Sequence, residues 1–109
     1  MDSPLHTYKA EFFKTLGHPL RLAILDALRV GPLSVTELQT VTKADQSMLS
    51  QHLGRLRHMN FVTPRREGTT IFYQVQDQQV YQFLDLARLI YGRQLKRSEA
   101  ILSELEQNQ

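Results

Sequence analysis

Cysteine is absent from this 109-residue sequence, which excludes disulfides, thiolate metal sites and thiol redox switches. No apolar run approaches the roughly 18 residues that a membrane span needs. The first residues, MDSPLHTYKAEFF, lack the charged start and apolar core of a secretory signal. Glycine and proline are few, at five and four, so a fibrous or disordered chain is not expected. These absences predict a folded cytoplasmic protein that makes no contact with a membrane.

The chain has the size of a single domain, residues 1–109, with a mass of 12.7 kDa. A domain this small has a modest core, which a partner subunit often completes. The net charge of +2 and a pI near 9.2 are only mildly basic. A case for nucleic-acid binding therefore depends on where the charges lie.

Two helices are predicted before residue 33 from apolar residues that recur at helical spacing. Ser3-Pro4 suits the start of the first helix, and Gly17 suits its end. The second helix is expected to begin at His18-Pro19 and to stop at Gly31-Pro32.

A helix-turn-helix is predicted over residues 34–60. Its first helix runs from about Val35 to Val41, and both Ser34/Glu37 and Thr36/Gln39 have the spacing of a capping box. After a tight turn, Asp45 suits the N-cap of the second helix, which is expected to continue to about Asn60.

The period of the pattern changes after this helix. Residues 61–75, FVTPRREGTTIFYQV, predict two short strands joined at Glu67-Gly68-Thr69, because β-branched and aromatic residues occupy both arms. Pro64 fits an edge strand best. A last long helix is expected from about Gln78 to Leu105, and it is apolar nearly all round, which suggests cover on two sides. The sequence therefore predicts a mainly α fold with a small β-hairpin.

The helix QSMLSQHLGRLR has two different faces. Leu49, Leu53 and Leu56 share one sector, whereas the opposite side carries short polar residues, a glycine and arginine, a combination able to enter a major groove. Residues 46–75 hold four arginines against one glutamate, a net charge of +3 in a chain whose total is +2. The positive charge is therefore concentrated where a DNA backbone would lie.

Three separated stretches, LGHPLRLAILDAL, SMLSQHLGRLR and FVTPRREGTTIFYQV, resemble the ArsR/SmtB family of winged helix-turn-helix repressors over residues 10 to 90. The resemblance implies a bacterial or archaeal transcriptional repressor that leaves double-stranded DNA when an effector binds. It also implies a homodimer that pairs through its first and last helices, residues 1–17 and 77–105. The helix-turn-helix then reads an imperfect palindrome, and residues 61–75 form a wing.

The family pattern assigns DNA contacts to the fourth helix and the wing. The serines and the glutamine are expected to meet bases or phosphates, and the wing arginines to meet phosphates or a narrow minor groove. His52 lies at the edge of the core-facing sector and is expected to be either structural or a phosphate contact. The predicted DNA contacts are Ser47, Ser50, Gln51, His52, Arg55, Arg57, Arg65, Arg66 and Gly68. The predicted dimer contacts are Tyr8, Phe12, Phe13, Phe83, Leu86, Ile90 and Tyr91.

The metal sites that the resemblance suggests lack their ligands in this sequence. The third helix reads SVTELQTV where a Cys-x-Cys pattern is needed. At the site on the last helices, Asp77 matches, but Gln79, Ile90 and Arg93 occupy the other ligand positions, and neither isoleucine nor arginine binds a metal. We therefore expect no metal and no cofactor. An intersubunit site that includes His6 stays open as an alternative, as do a small organic effector, a protein effector and no effector at all.

Two other classes of function were weighed. An enzyme is not expected, because the sequence has no Gly-rich phosphate loop, His-x-x-x-His or serine elbow. A winged-helix module for protein contacts is the stronger alternative, since fold does not determine function. Such a module would expose large apolar residues on its recognition face, where this sequence has serine, glutamine and arginine.

Overall fold

The computed structural model describes residues 3–107, which form two compact units that meet in sequence at Asp77 and Gln78. In the described part of the first unit, four α-helices and a three-stranded sheet follow one another, and the second unit is a single helix. None of the helices within the described range is both long and apolar enough to cross a membrane. The fold class is therefore the predicted one, mainly α with a small antiparallel sheet.

Helices α1 (Pro4–Leu16) and α2 (Pro19–Ala27) begin at the predicted caps. The Ser3 hydroxyl accepts a hydrogen bond from the His6 N–H at 3.1 Å, and His18 Nδ1 accepts one from the Leu20 N–H at 3.1 Å. Each cap satisfies one of the backbone donors that a helix leaves open at its start. A 3-10 turn (Leu28–Val30) follows α2 and ends at Gly31, whose φ of 135° excludes most other residues.

Helix α3 (Val35–Thr42) begins with the Ser34/Glu37 capping box, the first of the two predicted candidates. The Glu37 N–H donates to the Ser34 hydroxyl at 3.2 Å, and the Ser34 N–H donates to the Glu37 carboxylate at 3.0 Å. Lys43 then takes a left-handed conformation with φ of 64°, and its N–H donates to the Gln39 carbonyl at 2.9 Å. This compact end lets the next helix start three residues later.

Helix α4 (Gln46–His58) begins at Asp45, whose carboxylate accepts from the Met48 N–H at 2.8 Å. The helix ends two residues before the predicted end near Asn60. Asn60 has a φ of 62°, and the Phe61 N–H donates to the Leu56 carbonyl at 2.8 Å. The left-handed residue turns the chain out of the helix and towards the sheet.

The sheet has strands β1 (Leu33–Ser34), β2 (Val62–Glu67) and β3 (Thr70–Val75) in the order β1-β3-β2. Strands β2 and β3 form the predicted antiparallel hairpin, with Val62 opposite Val75 and Glu67 opposite Thr70. Pro64 lies on the edge strand, as predicted. The sequence prediction of two strands missed β1, which pairs Leu33 with Tyr73.

The core of the first unit lies between the helices and the sheet. Leu53 and Leu56, predicted to be the surest core positions of α4, are 1% and 0% exposed. They are buried with Leu49 of the same helix and with the apolar residues of α2, α3, β2 and β3, which include Ile24, Leu25, Leu38, Val62 and Val75. Burial of one such side chain contributes roughly 1.5–3 kcal/mol, so this core fixes which side of α4 is left exposed.

Helix α5 (Gln79–Gln107) is 29 residues long and forms the described part of the second unit. Its predicted bounds, about Gln78 to Leu105, are confirmed to within two residues at each end. Tyr81 is buried, whereas several large apolar residues farther along stay exposed.

Candidate nucleic-acid interface

One face of α4 is polar and exposed. Ser47, Ser50, Gln51 and Arg55 are all exposed, as predicted for residues that meet DNA. Gly54 lies between them, and a Cβ placed there would meet no atom within 4 Å. The short side chains and the glycine add little bulk to this face, so the helix backbone can come close to the base edges in a nucleic-acid groove.

Burial and capping together fix the orientation of this face. Leu49, Leu53 and Leu56 anchor one side of α4 in the core, and Asp45 caps its first turn. The opposite side faces outward because an α-helix separates its two faces by about 180°. Lys43, at the turn that precedes α4, is also exposed. The sequence prediction did not include Lys43, although a lysine in the turn of a helix-turn-helix is a signal that could have found it.

His52 departs from the other predicted DNA contacts. It is only 8% exposed, so it does not share the outward face with Ser50 and Gln51. Its ring stacks against His18, with the two centroids 4.1 Å apart and the planes tilted by 32°. The stacked and buried ring supports the structural role predicted for His52 and places it outside the exposed face of α4.

The surroundings of His52 disfavour a charge on its ring. Burial lowers the pKa of His52 from its ordinary value of 6.5, and electrostatic interactions with His18, Arg21 and Arg55 lower it further. Loss of the water shell on burial destabilises chiefly the charged form of a group, and nearby like charges destabilise that form further. The uncharged form of the His52 ring is therefore favoured in the folded protein, because its pKa is lowered.

The lowered pKa of His52 predicts a pH dependence of stability. The unfolded chain binds the proton more readily than the folded one, so stability is complete above the ordinary value of 6.5 and is lost as the pH falls below it. We expect a slope of at most about 1.4 kcal/mol per pH unit from this group. Urea unfolding between pH 5.5 and 8 measures it, with His52→Gln as the matched variant. Equal slopes in the two proteins would contradict the assignment.

The wing is the β2–β3 hairpin, which turns at Gly68 with a φ of 62°. Arg65 lies opposite Phe72 and Arg66 opposite Ile71, and both arginines are exposed. Adjacent residues of a strand point to opposite faces, so the two guanidinium groups leave the hairpin on different sides. The wing therefore presents one positive charge on each of its faces.

An ion pair within the wing makes the two arginines unequal. A guanidinium nitrogen of Arg65 lies 3.0 Å from a carboxylate oxygen of Glu67, two residues along the same strand face. Arg66 has no carboxylate partner within the described range. Exposed pairs of this kind are weak, about 0–1 kcal/mol, yet the Glu67 charge offsets that of Arg65 locally. Arg66 is thus the more effective of the two towards a phosphate.

Arg57, at the end of α4, is the remaining predicted DNA contact on the helix, and it is exposed. It lies seven residues after Ser50, so around the helix the two side chains are within about 20° of each other. Arg57 therefore extends the Ser50 edge of the face formed by Ser47, Ser50 and Gln51. Arg55 lies at the other edge, about 160° from Arg57.

Several predicted dimer contacts expose apolar surface in the single chain. In α1, Tyr8 and Phe13 are exposed, at 56% and 58%. Phe12 differs, because it is half-buried and its ring lies 4.9 Å from that of Phe61 in the same chain. In α5, the exposed predicted contacts are Phe83, Leu86, Ile90 and Tyr91.

The residues at the family's metal positions do not come together as a metal site. No group of three histidine, aspartate or glutamate side chains within residues 3–107 lies close enough to hold a metal ion. His6 is exposed on α1 and His58 at the end of α4, whereas His18 and His52 stack on each other.

Comparison with known proteins gives three findings. A family model described as bacterial regulatory protein, arsR family, matches residues 18–63, from the N-cap of α2 into β2. The HTH-type transcriptional regulator Rv0081 of Mycobacterium tuberculosis, itself uncharacterized, is 40% identical over 105 residues, covering 95% of this chain and 92% of that protein. The crystal structure of Rv0081 covers 89% of this chain and 98% of its own at a TM-score of 0.83 and 39% identity.

Two further relatives carry more specific descriptions. A biofilm growth-associated repressor of Xylella fastidiosa is 36% identical over 89 residues, which are 82% of this chain and 78% of that protein. The solution structure of Mb0332 from Mycobacterium bovis is described as a homodimeric winged helix-turn-helix DNA-binding domain and a possible ArsR-family regulator. It matches with a TM-score of 0.77 and 28% identity over 88% of this chain and 93% of that one.

Proposed function

We propose that this chain, which belongs to the ArsR family of DNA-binding transcriptional regulators, represses transcription as a homodimer bound to an imperfect palindromic operator. It is a regulator rather than an enzyme. The observation that carries the proposal is the exposed, polar and basic face of α4 beside an arginine-bearing wing. Because the target is DNA, we place the protein in the cytoplasm.

Helix α4 is proposed to read base edges in the major groove. Gln51 has the amide that pairs with adenine through two hydrogen bonds, and Arg55 has the planar fork that fits either guanine or a phosphate. Ser47 and Ser50, in the first half of the helix, are suited to bases or phosphates. Their exposure on the side opposite the leucine anchor supports these roles.

The dimer is proposed to form through the exposed apolar residues of α1 and α5. Phe83, Leu86 and Ile90 lie within about 60° of one another around α5, at about 100° per residue. Each is more than a third exposed in the single chain, which is unusual for large apolar side chains that share one stripe. A second copy that covers this stripe would present two α4 helices about 34 Å apart, one turn of DNA.

The regulator is proposed to respond to something other than a classical Cys- or His-ligated metal. The chain has no cysteine, and Ile90 and Arg93 stand at positions where a metal site needs ligands. A small organic molecule and a protein partner are the two effector classes that these residues permit. A repressor that responds only to its own concentration is the third arrangement.

Fluorescence anisotropy tests the proposal directly. A duplex from the region upstream of the protein's own gene is titrated against a random duplex of equal length over a range of salt. We expect tighter binding to the upstream duplex and a steep salt dependence, because phosphate contacts release counterions. Equal, weak binding to both duplexes, and no enriched site after selection from random DNA, would contradict sequence-specific recognition.

Gln51→Ala separates base reading from backbone binding. We expect it to weaken operator binding by roughly 10-fold or more, since a bidentate base contact contributes about 1–3 kcal/mol of discrimination. Affinity for random DNA should change little. Gln46→Ala, at the first residue of the same helix, is the matched control. Equal losses on operator and random DNA would show that Gln51 meets phosphate instead.

A further inference from the structure

A cluster of four nitrogen-bearing side chains lies between α2 and α4, and we call it the α2–α4 cluster: His18, Arg21, His52 and Arg55. The rings of His18 and His52 are stacked with centroids 4.1 Å apart. His52 is buried, His18 and Arg21 are half-buried, and Arg55 is exposed. The cluster therefore has a buried floor and a rim that solvent reaches.

Two polar atoms of the α2–α4 cluster are buried without a partner. Arg21 Nε and His52 Nδ1 make no hydrogen bond within residues 3–107. Buried polar atoms are nearly always paired, and each exception needs a physical explanation. Here both exceptions fall in the same cluster, one on each of the two helices.

The α2–α4 cluster also lacks negative charge. None of its members forms an ion pair with a carboxylate in the described part of the chain. The charged groups that act on His52 are His18, Arg21 and Arg55, and none of them is acidic. The half-buried Arg21 and the exposed Arg55 both act on His52 with no carboxylate beside them, so a bound anion would interact favourably with both and give the unpartnered nitrogens a hydrogen-bond partner.

The donors of the α2–α4 cluster are prepared for an oxyanion. His18 Nδ1 already accepts a hydrogen bond from the Leu20 N–H at 3.1 Å, so the proton of the neutral ring is on Nε2, which is then a donor. Each arginine offers a planar fork of N–H groups. A carboxylate presents its oxygens in one plane, whereas a phosphate accepts from several directions at once, as donors on two helices require.

We propose that the α2–α4 cluster is a binding site for a phosphate group, held by Arg21 and His18 on α2 and by Arg55 and the ring of His52 on α4. The phosphate comes either from the DNA backbone beside α4 or from a free phosphate-bearing ligand. The DNA-backbone source rests on the proposed function, and the free source does not.

The four histidines of this chain provide an internal control for phosphate binding. Inorganic phosphate is titrated into the uniformly ¹⁵N-labelled protein at constant pH and ionic strength, with chloride as the compensating salt, and imidazole ¹⁵N signals are recorded. We expect His18 and His52 to shift together along one binding curve, while His6 and His58 stay in place. Arg21→Gln should weaken that curve by roughly 10-fold or more, as the loss of a charged hydrogen bond does.

The DNA source is tested by the salt dependence of anisotropy with Arg21→Gln. If a backbone phosphate occupies the site, the slope of log K against log salt should fall by about 0.9. Arg29→Gln is the matched control, because it removes one charge from an exposed arginine in the turn that follows α2, which pairs with Asp26. Circular dichroism checks folding, and if Arg21→Gln is unstable, Arg21→Lys, which keeps the charge and loses the planar fork, should still weaken the phosphate binding curve while it leaves the salt slope unchanged.

The phosphate titration and the salt dependence of DNA binding together test the proposed site. A shift of His18 and His52 with inorganic phosphate supports the site, and an unchanged salt slope then assigns it to a free ligand. A salt slope that is lowered by Arg21→Gln and not by Arg29→Gln assigns the site to the DNA backbone. If phosphate shifts neither ring selectively and the slope is unchanged, the inference is overturned. A wild-type protein that binds no duplex refutes the proposed function, while the phosphate titration still decides the site.

Discussion

Replacing Arg65 and Arg66 together by alanine is expected to weaken binding to every DNA duplex, specific or random, by roughly 10-fold or more at physiological salt. The reason is that wing arginines meet phosphates or the narrow minor groove, and those contacts carry little sequence information. The slope of log K against log salt should become shallower by about 1 to 2, because binding releases about one counterion fewer for each phosphate contact that is lost. Anisotropy over a range of salt on operator and random duplexes measures both quantities.

The single variants are expected to be unequal. Arg66→Ala should account for most of the double-variant effect, since the charge of Arg65 is already offset by Glu67 at 3.0 Å. Glu67→Gln is the matched control, and it should increase the salt slope because it releases Arg65 without adding an arginine. An unchanged slope in the double variant would refute the assignment of residues 61–75 as a wing that meets DNA.

Ile90→Glu is expected to convert the dimer into monomers. Ile90 is 50% exposed at the centre of the apolar stripe formed with Phe83 and Leu86. A two-fold interface contains each substitution twice, so two carboxylates would enter one apolar contact, at a penalty of several kcal/mol. Loss of the dimer also separates the two α4 helices, and operator affinity should drop by roughly 100-fold or more because the second half-site is no longer linked to the first.

Sedimentation at several protein concentrations measures the oligomeric state of this variant. Ile90→Leu conserves volume and apolar character, so it should remain a dimer. Circular dichroism of both variants separates dissociation from unfolding. A folded and dimeric Ile90→Glu protein would show that this stripe of α5 does not form the interface.

The helices and the anchored side of α4 were accessible from the sequence because both are local properties. The spacing of Leu49, Leu53 and Leu56 reports a 3.6-residue period, and all three are buried. Caps at Ser3, Ser34 and Asp45 involve residues no more than three apart, and the predicted hydrogen bonds form at each. The hairpin was equally accessible, since its two strands are adjacent in the chain.

What the sequence did not reveal depends on contacts between distant residues. Strand β1 is two residues long, too short for an alternating pattern, and it exists because Leu33 pairs with Tyr73 forty positions later. The stacking of His18 on His52 likewise joins two helices, and no periodicity in either helix predicts it. The helical spacing placed His52 at the edge of the core sector, as either a structural residue or a phosphate contact, and the packing of α2 against α4 decides its burial.

A count of charges along the sequence does not show how those charges are divided between the two faces of a strand. The net charge of +3 over residues 46–75 treats Arg65 and Arg66 as equal. Strand geometry separates them, because Arg65 shares a face with Glu67 and Arg66 does not. The total charge of the wing was therefore accessible from the sequence, and its distribution between the two faces required the strand register.

The position of Pro64 on the outer strand of the sheet affects how copies of this protein can associate. An open strand edge offers backbone donors and acceptors to which another chain can add, a common route to aggregates. Strand β2 is the longer of the two edge strands, and Pro64 removes one donor from it while Arg65 and Arg66 add like charges beside it. Sheet extension between copies is thus opposed at the wing, and the protein can be concentrated on DNA without polymerising through its hairpins.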